Sequence, residues 1–268
     1  MYLQDRRILL TGASGGIGRA LALALASRGA WLCLSGRDRD ALARLKGEVE
    51  AHGGRAEIFA ADLGADDGPE RLAAHVLTAY PRLDVLINCA GTSHFGEFAD
   101  TPAPVLSRLW QTNVLAPMRL VQALLPTMRA QGRGLIVNVG SIFGSIAFPC
   151  FTAYSSTKFA LRGFSEALRR ELNGSGIGVL YVAPRYTRTA INAGAVEAMA
   201  AAVKMPQDDP AAVAAQIVLA IERERAERYL GWPEKLFVRI NAWFPRLVDR
   251  ALRRQTEQMR PFALPRPT

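Results

Sequence analysis

The chain has 268 residues, of which half are hydrophobic and 21% are charged, a composition that fits one globular domain and excludes a disordered protein. It has no apolar run near the roughly 20 residues of a membrane span, and the first predicted strand begins too early for a signal peptide. The net charge of +9 would suit nucleic acid, an anionic surface or an acidic ligand, and does not choose among them.

The cysteines and histidines favour neither disulfides nor a metal site. The chain has three cysteines, Cys33, Cys89 and Cys150, a number that cannot be fully paired in disulfides. Two of them lie in or beside predicted strands. We therefore expect reduced thiols in the core of a cytoplasmic protein. The three histidines are scattered and lack the spacing of metal ligands. No metal is predicted.

A glycine-rich turn follows the first predicted strand, Arg7–Leu10, and precedes a predicted helix, Ile17–Arg28. This order of strand, turn and helix presents backbone N–H groups and a helix N-terminus to a pyrophosphate. A Cβ atom would hold the phosphate away, which explains the glycines. Gly12, Gly16 and Gly18 are not spaced as in the common dinucleotide fingerprint, whose first two glycines are two residues apart.

The second predicted strand, Ala30–Ser35, ends before Gly36 and Arg37. An acidic residue near this position commonly accepts a hydrogen bond from a ribose 2′-hydroxyl. Here the guanidinium of Arg37 suits a 2′-phosphate instead. Asp38 suits the N-cap of the helix that runs through Glu50. The pattern favours NADP(H) over NAD(H).

Two further strands end at polar or small residues. The third, Arg55–Ala60, is followed by Asp62 and Leu63, and Asp62 could also cap a helix that begins near Asp66–Pro69. The fourth, Asp84–Asn88, leads into Asn88-Cys89-Ala90-Gly91, whose small residues would let a ligand approach.

A long apolar helical pattern, Pro104–Met128, contains Asn113 and Pro117. Proline in a helix removes a backbone donor and produces a kink. The Asn113 amide could bond the backbone freed near this kink. Asparagine is otherwise a poor choice within a helix, so a functional role is the alternative.

Ser141, Tyr154 and Lys158 point to acid–base chemistry. Ser141 follows the fifth predicted strand, Gly134–Val139, at the edge where open α/β sheets bind ligands. Tyr154 and Lys158 are four residues apart in the predicted helix Ala153–Asn173, so they share one face. The ammonium is expected to lower the pKa of the phenol and to make it a proton donor and acceptor.

The rest of the chain is predicted to complete the sheet and to enclose a pocket. The apolar loop Ile142–Phe151 is expected to form a wall of the substrate site, and Ile191–Asp209 a mobile lid. The sixth strand, Gly178–Val182, and a last strand, Arg228–Gly231, flank the helix Ala211–Glu224. Alternating strands and helices imply a parallel sheet covered on both faces.

Residues 232–268 form a basic extension to the predicted domain of residues 1–231. Eight basic residues outnumber three acidic ones: Lys235, Arg239, Arg246, Arg250, Arg253, Arg254, Arg260 and Arg266, against Glu234, Asp249 and Glu257. Apolar residues recur at helical spacing, and Pro245 is expected to divide the segment into two helices. The apolar stripe either packs on the domain or across a dimer interface, or rests as an amphipathic hairpin on an anionic membrane surface.

These features together resemble the short-chain dehydrogenase/reductase family. The resemblance runs from about Ile8 to about Gly231 and is carried by Thr11–Gly18, Asn88-Cys89-Ala90-Gly91, Asn113, Ser141, Tyr154 and Lys158. It implies a Rossmann-type, doubly wound parallel α/β sheet of about seven strands. It also implies a nicotinamide-dependent enzyme that interconverts a carbonyl and an alcohol.

The resemblance assigns a role to each site residue. Ser141 would bind the carbonyl oxygen, Tyr154 would exchange its proton, and Lys158 would lower the tyrosine pKa and hold the nicotinamide ribose. Asn113 would complete the proton path through a bound water. The cofactor-binding residues would be Gly12, Ser14, Gly15, Gly16, Ile17, Gly18, Arg37, Asp62, Leu63, Asn88, Ala90, Gly91, Tyr154, Lys158, Pro184, Thr187 and Thr189.

The chain departs from the family pattern at three positions. Cys89 replaces an asparagine, and Gly15 stands where a phosphate-binding basic residue is frequent. Arg185 replaces a glycine after Pro184, where a positive φ would strain the backbone and alter the grip on the nicotinamide.

The expected substrate is a hydrophobic small molecule such as a lipid, fatty-acyl or steroid-like compound, and the expected assembly is a homodimer or homotetramer. The expected location is the cytoplasm, and peripheral attachment to a membrane is the alternative. A non-catalytic dinucleotide-binding sensor or scaffold is the alternative function. Nucleic-acid binding is disfavoured because no recognised motif or interleaved stacking aromatics accompany the basic tail.

Overall fold

The computed structural model describes residues 1–263 and shows one seven-stranded parallel sheet in the order β3-β2-β1-β4-β5-β6-β7. The strands are β1 (Arg7–Thr11), β2 (Trp31–Gly36), β3 (Arg55–Ala60), β4 (Val85–Asn88), β5 (Gly134–Val139), β6 (Ile177–Ala183) and β7 (Glu227–Tyr229). The order reverses between β1 and β4, which opens a crevice at the carboxyl ends of these strands. The predicted fold class is confirmed.

Helices cover both faces of the sheet, each over its own apolar cluster. Their bounds are α1 (Gly16–Ala26), α2 (Arg39–Ala51), α3 (Gly68–Ala79), α4 (Ala103–Trp110), α5 (Ala116–Gln131), α6 (Thr152–Glu171), α7 (Ala195–Ala202), α8 (Pro210–Glu222), α9 (Glu234–Trp243) and α10 (Pro245–Ala263). Helices α1, α2 and α8 bury leucines, valines and isoleucines on one face. Helices α3, α5 and α6 do so on the other.

The long helical pattern before β5 is not one helix. A π-helical turn, Gln111–Leu115, separates α4 from α5, and Pro117 lies in the first turn of α5. Proline is tolerated there because the first N–H groups of a helix have no intrahelical partner. The break therefore precedes Pro117, and Asn113 lies within it.

The segment after β6 is more ordered than its alanine-rich sequence suggested. Ile191–Asp209 contains the helix α7, whose Val196 and Met199 are buried. Met199 packs with Phe151 and with Met259 of α10. The predicted lid thus contains a helix anchored to the rest of the protein.

The C-terminal extension forms two helices that meet at Phe244 and Pro245, as the proline predicted. Part of its apolar stripe packs on the domain: Val238 contributes to a cluster with Ile142 and Tyr181. Of the basic residues counted above, Arg266 lies outside the described residues. The division of the chain at residue 231 stays a prediction. No helix within residues 1–263 is both long and apolar enough to cross a bilayer.

Candidate active site

A cleft of about 730 Å³ runs along the carboxyl edge of the sheet. Most of the predicted site residues line it: Gly12, Ser14, Gly15, Gly16, Ile17, Gly18, Arg37, Asp62, Leu63, Ala90, Gly91, Ser141, Tyr154, Lys158, Pro184, Thr187 and Thr189. Asn88 and Asn113 do not line the cleft and lie behind its wall. Their contribution therefore comes through the residues that they hold.

Close backbone packing explains the glycine turn. Gly12 has a φ of +64°, and a Cβ there would lie 2.7 Å from the Ala90 Cα. A Cβ on Gly18 would lie 2.1 Å from the Gly12 carbonyl oxygen. The N-cap of α1, Gly15, provides no side-chain hydrogen bond, so the first N–H groups of α1 are left to the cleft. Uncapped N–H groups at a helix N-terminus suit a pyrophosphate.

Hydrogen bonds behind the turn fix the ends of β1, β4 and β5. The Thr11 hydroxyl accepts the N–H groups of Cys89 and Ala90, both at 3.1 Å. The Asn88 amide donates to the Asn138 side-chain oxygen at 2.9 Å, joining β4 to β5. Asn88 therefore joins the two strands behind the cleft.

Arg37 is an exposed arginine at the end of the cleft beside β2 and β3. Asp38 caps α2, its side-chain oxygen accepting the N–H groups of Asp40 and Ala41 at 3.0 Å each. The N-cap prediction is confirmed. Arg37 lines the cleft and makes no ion pair within residues 1–263.

Asp62 does not cap α3, whose N-cap is Asp67. Its carboxylate instead accepts two hydrogen bonds from the Arg108 guanidinium, at 3.0 and 2.6 Å. These bonds, the largest influence, lower the pKa of the Asp62 carboxyl. Arg108 also lines the cleft. Sequence analysis missed it, because the two residues are 46 positions apart and no local motif links them.

Asn113 uses its whole amide to hold the segment after β4. Its Nδ2 donates to the Thr92 carbonyl at 2.9 Å and to the Thr157 hydroxyl at 3.0 Å. Its Oδ1 accepts the Thr92 N–H at 2.8 Å. The amide is therefore not bonded to the backbone near Pro117, which was one alternative. π-Helical turns such as this one are frequent at functional sites.

Ser141 is held at the end of β5 by Tyr181, a residue that sequence analysis missed. The Tyr181 hydroxyl accepts the Ser141 N–H at 3.4 Å and donates to the Ser141 carbonyl at 3.2 Å. The ring lies so close that a Cβ on Gly140 would be 2.3 Å from it. The Ser141 hydroxyl accepts the Phe143 N–H at 3.1 Å and lines the cleft.

Lys158 is buried on α6, and Tyr154 lies half-buried beside it. The Lys158 Nζ lies 5.7 Å from the centre of the Tyr154 ring and donates to the Val139 carbonyl at 3.2 Å. Burial raises the pKa of the Tyr154 hydroxyl to about 12, against the opposing hydrogen bond with Ser141. Burial also lowers the pKa of the Lys158 ammonium to about 8.

The lowered tyrosine pKa that the sequence suggested is therefore not found. The physical reason is that loss of solvent around the phenol outweighs the hydrogen bond with Ser141. At neutral pH, Tyr154 keeps its proton and Lys158 is mostly charged. A protonated phenol that lines the cleft beside a second hydroxyl can donate a proton to a carbonyl oxygen.

Aromatic and aliphatic side chains surround the hydroxyl pair. Phe143 and Phe148 stack at 4.7 Å, and Phe151 meets the edge of Tyr154 at 6.3 Å. The lid and the C-terminal helices supply the remaining apolar lining, namely Ile191, Met199, Val203, Met205, Phe237, Val248 and Leu252. The loop Ile142–Phe151 therefore forms one wall of the pocket, and the lid and extension form the others.

Arg185 does not strain the backbone, because it lies outside the set of residues with a positive φ. Its guanidinium instead binds Asp208 at 3.0 and 2.8 Å and both oxygens of Glu234 at 3.1 Å. These carboxylates raise the pKa of the Arg185 guanidinium above its usual range. Gly231, with a φ of +91°, makes room, since a Cβ there would lie 2.6 Å from Arg185 Cδ. Arg185 thus joins the lid to the extension.

Away from the cleft, the fold brings together Cys33, Glu57 and His75, whose ligand atoms lie within 4.8 Å of one another. The sequence spacing did not show this group. Burial raises the pKa of the Cys33 thiol to about 12, so the thiol without a bound ion is protonated at neutral pH. His75 stacks on Phe59 at 4.5 Å, and its Nε2 lies 3.5 Å from Glu57 Oε1. All three cysteines are free.

The comparisons with known proteins agree with this geometry. A family model described as short chain dehydrogenase matches residues 6–200. The Uncharacterized oxidoreductase YxnA of Bacillus subtilis (strain 168) is 32% identical, over 93% of this chain and 72% of that protein. Dehydrogenase/reductase SDR family member 7B of Danio rerio is 35% identical over 72% of this chain, which spans 65% of that protein's length.

Solved structures share the fold. A short-chain dehydrogenase from Streptomyces avermitilis has a TM-score of 0.80 and 34% identity, over 95% of this chain and 98% of that one. A metagenomic short-chain oxidoreductase in complex with NADP has a TM-score of 0.72 and 31% identity, over 86% of this chain and 100% of that one. A Burkholderia phymatum protein in complex with NAD matches at a TM-score of 0.85 over 92% and 96% of the two chains, but at 24% identity it shows the fold alone.

The matched segment contains the glycine turn, Asn113, Ser141, Tyr154 and Lys158, all but one of which line the cleft. The fold neighbours include proteins bound to either nicotinamide cofactor. By sequence, by fold and by the arrangement of its cleft, this chain belongs to the short-chain dehydrogenase/reductase family of oxidoreductases.

Proposed function

We propose that the protein is an NADP(H)-dependent oxidoreductase that interconverts a carbonyl and an alcohol on a hydrophobic small molecule. The observation that carries the proposal is the position of Ser141 and Tyr154. Their hydroxyls face an apolar pocket at one end of a cleft whose other end is a glycine turn suited to a pyrophosphate. The bound nicotinamide would supply or accept the hydride.

The side chains divide the remaining work. The Ser141 hydroxyl donates a hydrogen bond to the substrate oxygen and stabilises its developing charge. Tyr154, which keeps its proton at neutral pH, gives that proton to the same oxygen. Lys158 places a positive charge beside the ribose site. Asn113 holds Thr92 and Thr157 in place around these groups.

Arg37 supports the preference for NADP(H). It lines the end of the cleft where a ribose 2′-phosphate would lie, and its neighbour Asp38 is committed to capping α2. Arg108 contributes a second guanidinium to this end, although Asp62 partly neutralises it. A guanidinium binds phosphate through paired hydrogen bonds.

The apolar lining supports a hydrophobic substrate, such as a lipid, fatty-acyl or steroid-like ketone or alcohol. A non-catalytic sensor or scaffold is the alternative, but retention of Ser141, Tyr154 and Lys158 around one pocket disfavours it.

We further propose a homodimer or homotetramer in the cytoplasm. The free cysteines support a reducing compartment. Four exposed apolar side chains on α4 to α6 support association between copies: Trp110, Leu115, Met118 and Phe159.

The test is a screen of the purified protein with NADPH and with NADH against ketones and aldehydes graded from short to long chains, with a steroid ketone included. We expect oxidation of NADPH to exceed that of NADH, and catalytic efficiency to rise with chain length. Cofactor binding without turnover of any carbonyl or alcohol would favour the sensor. A preference for NADH would refute the proposed cofactor.

A further inference from the structure

The turn between α9 and α10 exposes large apolar side chains. We call Trp243, Phe244 and Leu247 the hairpin tip; their exposed fractions are 79%, 63% and 58%. Leu236 and Phe237, on α9, are also exposed. Clustered exposed apolar side chains of this size mark a surface that contacts something else.

The helices themselves are already packed on their other face. Val238 and Leu252 join the cluster around Ile142, and Met259 joins the cluster around Phe151. The domain therefore holds the hairpin in place while the tip projects outward. The tip lies at the turn between two helices, and exposed apolar side chains of this kind suit insertion into the headgroup–acyl boundary of a bilayer.

Arginines surround the tip. Arg239, Arg246, Arg250, Arg253 and Arg254 are exposed, and none of them forms an ion pair within residues 1–263. In contrast, the acidic Glu234 is bound to Arg185. Between residues 232 and 263, seven basic residues face three acidic ones. This charge is complementary to an anionic leaflet, which attracts basic segments beside a bilayer.

We propose that the hairpin tip docks on the surface of an anionic lipid bilayer, with Trp243, Phe244 and Leu247 in the acyl–headgroup boundary and the surrounding arginines at the lipid phosphates. Tryptophan and arginine are the side chains that suit this boundary. A protein partner would more often meet an apolar centre with a mixed polar rim, whereas this rim is mainly cationic.

Docking would place the substrate pocket beside the membrane. Phe237 is half exposed and also lines the cleft, and Val248, next to Leu247, lines it as well. The apolar surface is therefore continuous from the tip to the pocket, so a lipid-soluble ketone could pass between them. This consequence rests on the proposed function; the docking itself does not.

The experiment is co-sedimentation of the full chain with vesicles of phosphatidylcholine alone or mixed with phosphatidylglycerol, at low and raised salt. We expect binding to the mixed vesicles, weakened by salt because exposed charges are screened. The triple variant Trp243→Ser, Phe244→Ser, Leu247→Ser should lose at least about tenfold in partition coefficient, since each buried apolar side chain contributes to partitioning. None of these residues lines the cleft.

Matched controls distinguish the hairpin tip from a general loss of exposed aromatic rings or of positive charge. The double variant Tyr2→Ser, Phe98→Ser removes exposed aromatic rings elsewhere and should bind as the parent does. Arg246→Glu, Arg250→Glu should lose more than about tenfold in partition coefficient. Arg223→Glu, Arg225→Glu changes the net charge equally, but these residues precede the amino end of β7, whereas the hairpin follows its carboxyl end. Equal losses from both arginine pairs would overturn docking at the tip.

A second measurement addresses the competing occupant, a second copy of this chain. Brominated lipids should quench the tryptophan fluorescence of the parent, and Trp243→Phe should remove most of that quenching. If the triple variant instead dissociates an oligomer in size-exclusion chromatography and the parent does not sediment with vesicles, the proposal is wrong. Melting temperatures will show that the variants fold. Every readout is binding, so failure of carbonyl reduction would leave this result standing.

Discussion

The two ends of the cleft are built in different ways. At the glycine turn, the cleft is bounded by backbone, and a Cβ on Gly12 would lie 2.7 Å from Ala90 Cα. At the substrate end, it is bounded by aromatic and aliphatic side chains from the loop after β5, the lid and the last two helices. The first end leaves little room for variation, whereas the second can change with each apolar side chain.

This difference separates what the family shares from what belongs to this chain. A pyrophosphate needs N–H groups at close approach, which only small residues allow. An apolar substrate needs surface area and shape, which many side chains can supply. Mutations at the two ends should therefore divide between cofactor binding and turnover, and the following predictions test that division.

The largest effect is expected from Tyr154→Phe, which removes the proton donor while keeping the ring that packs against Phe151. Turnover should fall by at least about 10²-fold, the usual contribution of a positioned acid–base group. Cofactor affinity, measured by titration of nucleotide fluorescence, should persist. Tyr80→Phe, which removes a hydroxyl away from the cleft, is the control. Near-normal turnover of the Tyr154 variant would remove Tyr154 from its role.

Lys158→Met should lower both turnover and cofactor affinity, because one ammonium serves Tyr154 and the ribose site. Burial lowers the pKa of Lys158 to about 8, so its charge is lost as the pH rises through that value. The parent's cofactor affinity should therefore decline above about pH 8. The variant should lack this step. Unchanged affinity in Lys158→Met would contradict the ribose contact.

Arg185→Met should destabilise the substrate end without harming the cofactor end. It leaves Asp208 and Glu234, both mostly buried, without their shared partner. The free energy of unfolding should fall by about 1–3 kcal/mol, as is usual when a charged hydrogen-bonding partner is removed. The KM for an apolar ketone should rise, because the lid and the extension lose their link.

Arg119→Met provides the matched control for that loss. Arg119 binds Glu70 in an exposed pair outside the cleft, and exposed pairs contribute about 1 kcal/mol or less. Denaturant unfolding of the two variants would compare them directly. Equal stability losses would show that the Arg185 contacts contribute no more than a surface pair.

Arg37→Asp should produce the smallest change. The ratio of catalytic efficiency with NADPH to that with NADH should fall roughly tenfold, because one charge-assisted hydrogen bond to the phosphate is lost. The carboxylate would also accept a hydrogen bond from a 2′-hydroxyl. Steady-state kinetics with both cofactors measure the ratio, and the control is Arg39→Asp, at the first position of α2 and outside the cleft. No change in the ratio would assign the preference to another residue.

Local patterns in the sequence determined much of the fold. The strands Arg55–Ala60 and Gly134–Val139 were predicted with their observed bounds, and Pro245 marked the break between the last helices. The spacing of Tyr154 and Lys158 placed both on one face of α6. These features depend on periodicity, backbone donors and φ restrictions within a few residues, which a sequence displays directly.

Only the tertiary structure decided the contacts between distant segments. Asp62 meets Arg108, Ser141 meets Tyr181, and Arg185 meets Glu234, each pair at least 40 positions apart. None of these pairs follows a local pattern. The pKa of Tyr154 also depended on the fold, because burial by surrounding segments raised it to about 12. Hydrogen bonds and desolvation act through space, so they became visible only once the chain was folded.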